Sequence, residues 1–363
     1  MNINSLIEKT ELSIGFMSLT DSAPLIVAKE MGFFEKWGLS INLQKQHSWA
    51  TLRDKVHAGI LDAAQMLSPM PIASNYGLDC VKTKVVAPLV LSRNGNAITL
   101  SKQLYQVIKN QHIQEPYTSD VPLSASYLKE EVATRKILGN KIKLGVVFSY
   151  SCHYYQLVSW LQAGGINPED VDIIIIPPAN MVAAMADGEI DGYCVGGPWN
   201  TMAVREKVGF TGITSLDIWP GTPEKVLGLL QEFQEKNPKT VQALIMALQE
   251  ACDWLEIIPN RFEAARLLTS HQYLNTSLDN IAPSLLGSCL TFYNESPRYI
   301  PSYNQFSLFN DRVGNCPDTI DGTMLVKYMK LAGHINDENQ PSLSVRDIYC
   351  SEIYHQTLEN FSQ

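Results

Sequence analysis

Apolar runs alternate with amphipathic segments along this chain, and both have the lengths expected of strands and helices. Leu144 to Phe148 is an apolar run that predicts a strand, and His153 to Ala163 has the apolar spacing of a helix. A strand from Val171 to Ile176 and a helix from Met181 to Asp187 follow. Strands alternating with helices in this way indicate βαβ units and mainly parallel sheets.

The segment from Lys143 to Asn200 has a second copy that begins at Leu12. Ile14-Gly15 corresponds to Leu144-Gly145, and Gly59-Ile60-Leu61-Asp62 corresponds to Gly188-Glu189-Ile190-Asp191. Repetition of a supersecondary unit predicts two lobes of similar construction. A chain of 363 residues is long enough for two such lobes.

The first copy is predicted to contain the same succession of elements. These are a strand from Leu12 to Met17, a helix from Ser22 to Glu30, a strand from Ser40 to Leu43, a helix from Ala50 to Ala58, a strand from Asp62 to Met66 and a helix start at Ser68-Pro69. Ser48 is the predicted N-cap of the fourth element, because its hydroxyl suits the open N–H groups of a first turn.

The remaining segments complete two lobes. A strand from Lys84 to Leu91 leads out of the first lobe, and the poorly patterned region Gln103 to Asn140 holds a helix near Ala125 to Leu138. From Thr201 onward the pattern is mostly helical, most clearly from Pro238 to Ile257. We predict that residues 12–98 and 199–363 form lobe 1 with a helical C-terminal extension. Residues 99–198 form lobe 2, with a ligand cleft between the lobes.

Composition and charge narrow the class of protein. Hydrophobic residues make up 45% of the chain and charged residues 18%, which is typical of a soluble globular protein. The net charge of -9 argues against a nucleic-acid-binding surface, which is normally basic. No apolar run reaches the roughly 18 residues that predict a membrane span.

The N-terminal segment and the cysteines bear on the compartment. Met1 to Glu11 is polar and mixed in charge, without the features of a secretory signal, so the sequence predicts a cytoplasmic protein unless a longer natural chain carries an export signal. Seven cysteines, with no Cys-x-x-Cys pair, fit a reducing compartment better than a disulfide framework.

Helix starts at the carboxyl ends of strands suggest a site for a small anion. Four such starts are predicted, after Met17, before Ala50, after Phe148 and after Pro178. Each contributes open N–H groups and roughly half a positive charge, and ligands of open α/β sheets collect at this edge. The pattern predicts a small anion bound between two lobes and does not identify it.

Single side chains near these helix starts are candidate contacts, each with an ordinary structural alternative. Trp49 is a candidate wall for a planar ligand or simply a packed indole, and His153 is a candidate donor or a capping-region residue. Lys225 is the candidate positive charge, although an isolated lysine is usually solvated. Asn96 is a hinge residue or a ligand donor.

Signals for an enzyme or a metal site are missing from the sequence. Cys152-His153 resembles a nucleophile and its base, but adjacent residues seldom face one another and no orienting carboxylate is identifiable. No phosphate-binding glycine loop, dinucleotide motif or His-rich metal spacing occurs. The sequence therefore predicts a binding protein that is not an enzyme and needs no metal or cofactor.

Several ordered motifs resemble those of the NrtA/CmpA group of nitrate- and bicarbonate-binding proteins. The resemblance covers roughly Leu12 to Thr269. The motifs are Ser48-Trp49-Ala50-Thr51-Leu52-Arg53-Asp54, Ser68-Pro69-Met70-Pro71, Asn94-Gly95-Asn96-Ala97-Ile98, Ala163-Gly164-Gly165-Ile166-Asn167-Pro168, Ile176-Pro177-Pro178, Gly196-Gly197-Pro198-Trp199-Asn200 and Pro223-Glu224-Lys225-Val226-Leu227-Gly228.

This resemblance implies a fold and a ligand site. The fold is the periplasmic-binding-protein type (type II), with two α/β lobes joined by a two-strand hinge. The ligand-binding residues carried over from the family are Trp49, Thr51, Asn96, His153, Pro178 and Lys225. A planar monoanion such as nitrate suits a flat wall, in-plane donors and one lysine.

Two positions depart from the nitrate transport proteins, which carry a glutamine in the slot of Asn96 and a glycine near Thr51. The bicarbonate proteins use an acidic, calcium-assisted site. The sequence shows no acidic cluster of that kind, so nitrate or nitrite is the expected ligand.

The resemblance is strongest to the cytoplasmic NasS-type sensors. Such a sensor holds an RNA-binding antiterminator of the NasT type and releases it when nitrate or nitrite binds, which controls nitrate assimilation. The alternative is the substrate-binding component of a nitrate-type ABC transporter, with a permease and an ATPase as partners. A third class, the pyrimidine synthases of thiamine biosynthesis, needs a cysteine-rich motif that Ser151-Cys152-His153-Tyr154 does not supply.

Overall fold

Two compact units make up the part of the chain that the computed structural model describes, which is residues 7–111, 121–307, 314–336 and 343–361. Unit 1 comprises Met1–Arg93, Thr222–Asn275 and Gln305–Gln363. Unit 2 comprises Asn94–Gly221 and Thr276–Asn304. Each unit is built from strands and helices in succession.

The elements of the first half of the chain begin with the first predicted copy. In order they are β1 Glu11–Met17, α1 Ala23–Glu30, α2 Phe33–Lys36, β2 Ser40–Gln46, α3 Trp49–His57, β3 Ala63–Leu67, α4 Met70–Tyr76, β4 Val85–Asn94, β5 Asn96–Ser101, α5 Lys102–Gln111, α6 Lys129–Ile137, β6 Lys143–Val146, α7 Cys152–Ala163, β7 Asp172–Ile175 and α8 Met181–Ala186.

Helices become more frequent in the second half. In order the elements are β8 Gly192–Gly196, α9 Trp199–Arg205, β9 Gly209–Thr214, α10 Ser215–Ile218, β10 Pro223–Leu230, α11 Gln231–Lys236, α12 Pro238–Leu255, α13 Ile258–Leu268, α14 Leu278–Leu285, β11 Ser288–Cys289, β12 Arg298–Tyr299, β13 Asn304–Gln305, α15 Thr319–Leu331, α16 Val345–Ile348 and α17 Ser351–Phe361.

The two main sheets repeat one strand arrangement. The sheet of unit 1 contains the order β2-β1-β3-β10-β4, and the sheet of unit 2 has the order β7-β6-β8-β5-β9. In each, the first strand of the copy lies between the second and the third and pairs with both in parallel. The internal repeat predicted from the sequence is therefore confirmed.

Both sheets also contain antiparallel strands, which corrects the expectation of mainly parallel sheets. Strand β10 runs antiparallel to β3 and β4, and β5 runs antiparallel to β8 and β9. These strands come from distant parts of the chain. A strand that does not follow its neighbour through a helical crossover is not held to the parallel direction of a βαβ unit.

A glycine occupies the matching position in the first strand of each repeat, because neighbouring side chains leave no room there for a Cβ atom. Gly15 lies opposite Ala64 in the pairing of β1 with β3, and Gly145 lies opposite Tyr193 in the pairing of β6 with β8. A Cβ atom would come 2.6 Å from Leu61 Cδ1 at Gly15 and 2.9 Å from the Met181 sulfur at Gly145. Side chains therefore pack directly onto the backbone of the first strand in both units.

Each sheet is covered by helices that bury an apolar face. In unit 2, Leu157 and Leu161 of α7 pack in one cluster with Leu144 and Val146 of β6. Trp160 of the same helix is in this cluster and donates its indole N–H to the Leu123 carbonyl at 2.8 Å. In unit 1, α12 buries most of its length and contacts α1, α13 and α17.

The division into units differs from the predicted lobes, 12–98 with 199–363 and 99–198. Residues 199–221 stay with unit 2 because β9 pairs with β5 and α9 contacts β9. Residues 276–304 also belong to unit 2, where Arg298 forms a 2.6 Å ion pair with Asp217. The predicted C-terminal extension is thus divided between the two units, and the chain passes from one unit to the other four times.

The mostly helical reading from Thr201 onward is wrong for β9 and β10. Strand β10 is buried along nearly all of its length although it contains Glu224 and Lys225, two residues that sequence patterns assign to a surface. The long helix predicted from Pro238 to Ile257 is confirmed as α12, with Pro238 in its first turn.

Some predictions fall outside the described residues. Residues 1–6, 112–120, 308–313, 337–342 and 362–363 are not described. They include most of the predicted polar N-terminal segment and parts of the regions Gln103–Asn140 and Asn275–Gln363. Within the described ranges, every helix is too short or too polar to cross a bilayer.

Candidate functional site

The start of α3 in unit 1 is built as the sequence predicts. The Ser48 hydroxyl oxygen accepts a hydrogen bond from the Thr51 N–H at 3.1 Å, which caps the nine-residue helix, and the Ser48 hydroxyl donates to the Thr51 hydroxyl at 2.9 Å. Trp49 is the first residue of the helix and is 1% exposed. The cap therefore fixes a buried indole at a helix N-terminus.

Lys225 is fully buried in unit 1 and is held by two carboxylates. Its ammonium lies 2.7 Å from Asp21 Oδ2 and 2.8 Å from Glu224 Oε1. The solvated lysine that sequence reasoning allowed is therefore wrong. Two acidic side chains, Asp21 and Glu224, surround this lysine.

A bulge explains how the consecutive residues Glu224 and Lys225 meet. Neighbouring side chains on a regular strand point to opposite faces of the sheet. The pairing of β10 with β4 shifts register between Pro223 and Lys225 and again between Lys225 and Val226. A bulge of this kind re-aims side chains, so the carboxylate and the ammonium reach one another.

Gln65 connects the buried ion cluster to the first strand. Its amide nitrogen donates to Asp21 Oδ1 at 2.8 Å, and its amide oxygen accepts the Met17 N–H at 3.1 Å. Gln65 is fully buried and Asp21 is 2% exposed. The amide therefore holds the Asp21 carboxylate toward Lys225.

The charges of this cluster do not sum to a positive site. One ammonium and two carboxylates leave one net negative charge when all are ionised. Burial lowers the pKa of Lys225, but the charges and hydrogen bonds of Asp21 and Glu224 outweigh it, so the pKa lies above its ordinary 10.5. The ammonium therefore keeps its proton. Across the described residues, no three His, Cys, Asp or Glu side chains gather to hold a metal ion.

Trp49 and Lys225 come together in unit 1. The Lys225 ammonium lies 5.6 Å from the centroid of the Trp49 ring, within the range of a cation–π contact. The Trp49 indole N–H is buried and has no hydrogen-bond partner among the described residues. A buried donor therefore stands beside a buried cation, which is an arrangement suited to an anion.

Thr51 lies on the exposed side of the same helix start. Its N–H and its hydroxyl both bond to Ser48, as described above. The structure thus gives Thr51 a part in shaping the first turn of α3, and its contact with a ligand stays a prediction.

The start of α7 in unit 2 is capped by a serine, as the start of α3 is in unit 1. The Ser151 hydroxyl oxygen accepts the Tyr154 N–H at 3.1 Å and donates its own proton to the Phe148 carbonyl at 2.6 Å. This cap confirms the predicted helix start. Cys152 and His153 are the first two residues of the 12-residue helix, and both are fully buried.

Asn96 opens β5 in unit 2 and is fully buried. Its main-chain N–H donates to the Ser215 hydroxyl at 3.2 Å, and its side-chain amide donates to Gln156 Oε1 at 3.0 Å. Gln156 lies on α7, three residues after His153, so the two side chains share one face of the helix. Asn96 therefore lies near His153, because it bonds to Gln156 on the same face of α7.

Pro178 is buried at the start of a 3-10 turn, Pro178–Asn180, that follows β7. Strand β7 pairs in parallel with β6, so their carboxyl ends meet at one edge of the sheet. Proline has no N–H, and its ring supplies an apolar surface there.

Sequence reasoning missed four polar residues that surround Lys225 in unit 1 or Asn96 in unit 2. They are Asp21, Gln65, Gln156 and Glu224. Gln156 and Gln65 had a usable signal, because each interrupts an apolar stretch of an element that faces the core. Asp21 lies directly before the predicted helix start at Ser22, where an acidic residue is common, and Glu224 required knowledge of the bulge. Polar residues at core positions are candidates for function in their own right.

Comparisons with known proteins place these groups in context. The profile of the NMT1-like family matches residues 6–269. The chain is 37% identical to the nitrate import ATP-binding protein NrtC of Synechocystis over 91% of its own length and 47% of that protein. It is 34% identical to the nitrate/nitrite binding protein NrtA of Nostoc, over 78% of its own length and 62% of that protein.

A solved structure gives the same picture of the fold. The crystal structure of the periplasmic nitrate-binding protein NrtA from Synechocystis PCC 6803 matches with a TM-score of 0.87 and 26% identity, over 98% of this chain and 90% of that one. The predicted periplasmic-binding-protein fold with two α/β lobes is confirmed. The chain spans about half to three fifths of the length of the two curated relatives.

Proposed function

Because this chain belongs to the NMT1-like family, in its group of nitrate- and bicarbonate-binding proteins, we propose that it binds nitrate or nitrite. The residues proposed to take part in binding are Trp49 and Lys225 in unit 1, and Asn96, His153 and Pro178 in unit 2. Thr51 contributes at the start of α3. None of these roles requires a metal ion or a cofactor.

One observation carries the ligand proposal: the buried Trp49 N–H beside the buried Lys225 ammonium. An ammonium has three donors, and Asp21 and Glu224 accept from two of them. A monoanion that accepts from the indole and from the third ammonium donor satisfies both. Burying the indole N–H without any partner costs roughly 1–3 kcal/mol, which such an anion recovers.

Isothermal titration calorimetry tests the ligand. We expect nitrate or nitrite to give saturable heat, and bicarbonate and sulfate to give little, with EDTA in every buffer to remove metal ions. Saturable binding of bicarbonate alone, or of none of the four anions, contradicts the proposal.

We further propose that the protein acts in the cytoplasm as a sensor for nitrate assimilation. In this role the anion-free form holds an antiterminator of the NasT type, and the anion-bound form releases it. The resemblance of the motifs to NasS-type sensors supports the proposal. Physically, the anion shifts the population toward the form that it prefers, by no more than its differential affinity for the two forms.

Co-purification from cell extract tests the sensor role. We expect a stoichiometric complex with an antiterminator in the absence of anion, and its dissociation on size exclusion when nitrate or nitrite is added. Chloride at the same concentration is the control for ionic strength. A complex that ignores nitrate and nitrite contradicts the sensor role and leaves the ligand proposal intact.

A second candidate role is the substrate-binding component of a nitrate-type ABC transporter. The similarity to NrtA and to the nitrate import protein NrtC favours it. This role predicts that deleting the gene abolishes nitrate uptake, and that the protein is captured by a permease and an ATPase. The sensor role predicts loss of nitrate-dependent gene expression with the transport activity itself retained.

A further inference from the structure

Gln156 is a buried polar residue with half of its amide engaged. Its side chain is fully buried on α7, and its oxygen accepts the Asn96 amide at 3.0 Å. Its amide nitrogen has no hydrogen-bond partner among the described residues. The arrangement lies within unit 2 and one helical turn from His153.

An amide nitrogen left in this state is costly. A buried donor without a partner loses roughly 1–3 kcal/mol of solvation, and most buried polar groups are satisfied in native proteins. The α7 residues Leu157, Trp160 and Leu161 belong to the apolar core of unit 2, and a core of this kind is built from apolar side chains without any amide. The unsatisfied amide thus indicates a ligand atom rather than a packing requirement.

The location favours an anion as that ligand. The capped N-terminus of α7 presents open N–H groups and the positive end of a 12-residue helix dipole. Asn96 and Gln156 lie at the edge of the sheet where the carboxyl ends of β6 and β8 meet, because Asn96 pairs with Gly196 at the end of β8. An acceptor with negative charge is stabilised there.

We infer that Gln156 is a ligand-binding residue that donates its side-chain N–H to the bound oxyanion, and that Asn96 takes part in binding by positioning Gln156 and not by contacting the anion itself. The Asn96 amide bonds to the Gln156 oxygen and so turns the Gln156 nitrogen toward the ligand. This inference rests on the proposed anion-binding function and adds to it a donor and a positioning residue.

The substitution Gln156→Met tests the donor, because methionine keeps the length and the apolar stem and removes both amide atoms. We expect roughly 10- to 100-fold weaker binding of nitrate or nitrite by calorimetry, which is the effect of losing a hydrogen bond to a charged group. The melting temperature of the anion-free protein should change little, since an unsatisfied donor is removed together with one hydrogen bond. Gln162→Met, on an exposed position of the same helix, is the matched control and should bind as the wild type does.

A double-mutant cycle tests the positioning role of Asn96. If Asn96 acts through Gln156, Asn96→Ala weakens binding in the wild-type background and has little further effect in the Gln156→Met background. Additive losses in affinity overturn the positioning role. A merely structural asparagine predicts equal losses in both backgrounds.

The outcomes separate this inference from the proposed function. Wild-type affinity in Gln156→Met, with normal nitrate or nitrite binding by the unmodified protein, overturns the inference alone. Failure of the unmodified protein to bind either anion overturns both. If Gln156→Met does not fold, Gln156→Asn decides in the same assay, because the shorter amide is expected to bind several-fold more weakly and wild-type affinity would contradict the donor role.

Discussion

Unit 1 and unit 2 share a strand order but equip the starts of their helices differently. Unit 1 places charged groups there, the Lys225 ammonium between Asp21 and Glu224, beside the Trp49 ring. Unit 2 places neutral groups there, with Gln156 bonded to Asn96 one turn after His153. The two copies of the repeat therefore carry different side chains near their helix starts, charged in unit 1 and neutral in unit 2.

The difference shows how a protein with an excess of acidic residues can present donors to an anion. With all three groups ionised, the charged cluster of unit 1 carries one net negative charge, so it does not attract an anion by charge alone. Neutral donors and helix dipoles carry no net charge and bind without that penalty. For the proposed anion we expect directed N–H groups to matter more than positive charge, and the following experiments test this expectation.

The largest effect is expected from Lys225→Met. The change leaves the buried carboxylates of Asp21 and Glu224 without their cation, and breaking a buried ion pair in this way costs about 3–5 kcal/mol. We expect a lower free energy of unfolding in urea and loss of detectable anion binding by calorimetry. Lys36→Met, at an exposed lysine, is the control.

A neutralised variant separates stability from binding. The combination of Lys225→Met with Asp21→Asn and Glu224→Gln removes all three charges at nearly constant volume. We expect most of the lost stability to return while anion binding stays weak. Binding that returns with stability would mean that the ammonium only supports the fold.

Replacing either repeat glycine by alanine should destabilise the protein. Gly145→Ala brings the new Cβ close to Met181, Ile190 and Tyr193, whereas Gly15→Ala meets mainly the end of Leu61. Overpacking typically costs about 1–3 kcal/mol, and we expect Gly145→Ala to be the more costly of the two. Urea unfolding of both variants checks the order, and a larger loss of stability in Gly15→Ala would contradict the expectation.

Trp49→Phe tests the donor of unit 1 with the aromatic ring retained. Losing the indole N–H and weakening the cation–π contact should reduce anion affinity about tenfold, measured by calorimetry. Trp37→Phe is the matched control, because the Trp37 N–H already donates to Glu250 at 2.9 Å. Equal anion affinity of Trp49→Phe and Trp37→Phe would show that the Trp49 N–H does not donate to the anion.

The smallest effect concerns pH and distinguishes the ion pairs of the two units. Burial raises the pKa of Asp217, but hydrogen bonds from Arg298 and Thr214 outweigh it, so the pKa lies below its ordinary 3.8. The Asp217 contribution to stability is therefore present above that value and lost as pH falls through the lowered pKa. The Lys225 contribution is fully present below pH 10.5 and lost as pH rises through its raised pKa.

Acid titration of unfolding checks the prediction for unit 2. As pH falls below about 5, Asp217→Asn should show a flatter loss of stability than the wild type. Asp54→Asn, at an exposed carboxylate beside Arg53, is the control and should follow the wild-type curve. Identical curves for wild type and Asp217→Asn would show that the ion pair with Arg298 does not affect stability in acid.

The sequence predicted the parts of the fold that follow from local order. The repeat, the cap at Ser48, the helix from His153 to Ala163 and the helix at Pro238 are local patterns, and each is confirmed. Strand β10 was missed because its interior carries Glu224 and Lys225, which pair with one another and with Asp21 only after distant segments meet. Long-range pairing of charges is not encoded in local periodicity.

The candidate site was predicted in outline and not in detail. Trp49, Asn96, His153, Pro178 and Lys225 are all buried at strand ends or helix starts, as the motifs suggested. Their supporting residues could not be identified, because spacing along the chain does not reveal which amide faces which carboxylate. The predicted ligand contacts and the cleft between the lobes stay predictions.

The strand order has a consequence for synthesis on the ribosome. Strand β4 joins the sheet of unit 1 through β10, which is translated only after Asn94–Gly221 of unit 2. Until then the nascent chain carries a ten-residue strand that is apolar from Val85 to Leu91, is buried throughout in the finished protein and has no neighbour on that side. Exposed strands of this kind promote aggregation, so chaperone capture of the emerging polypeptide is expected to govern the yield of active protein.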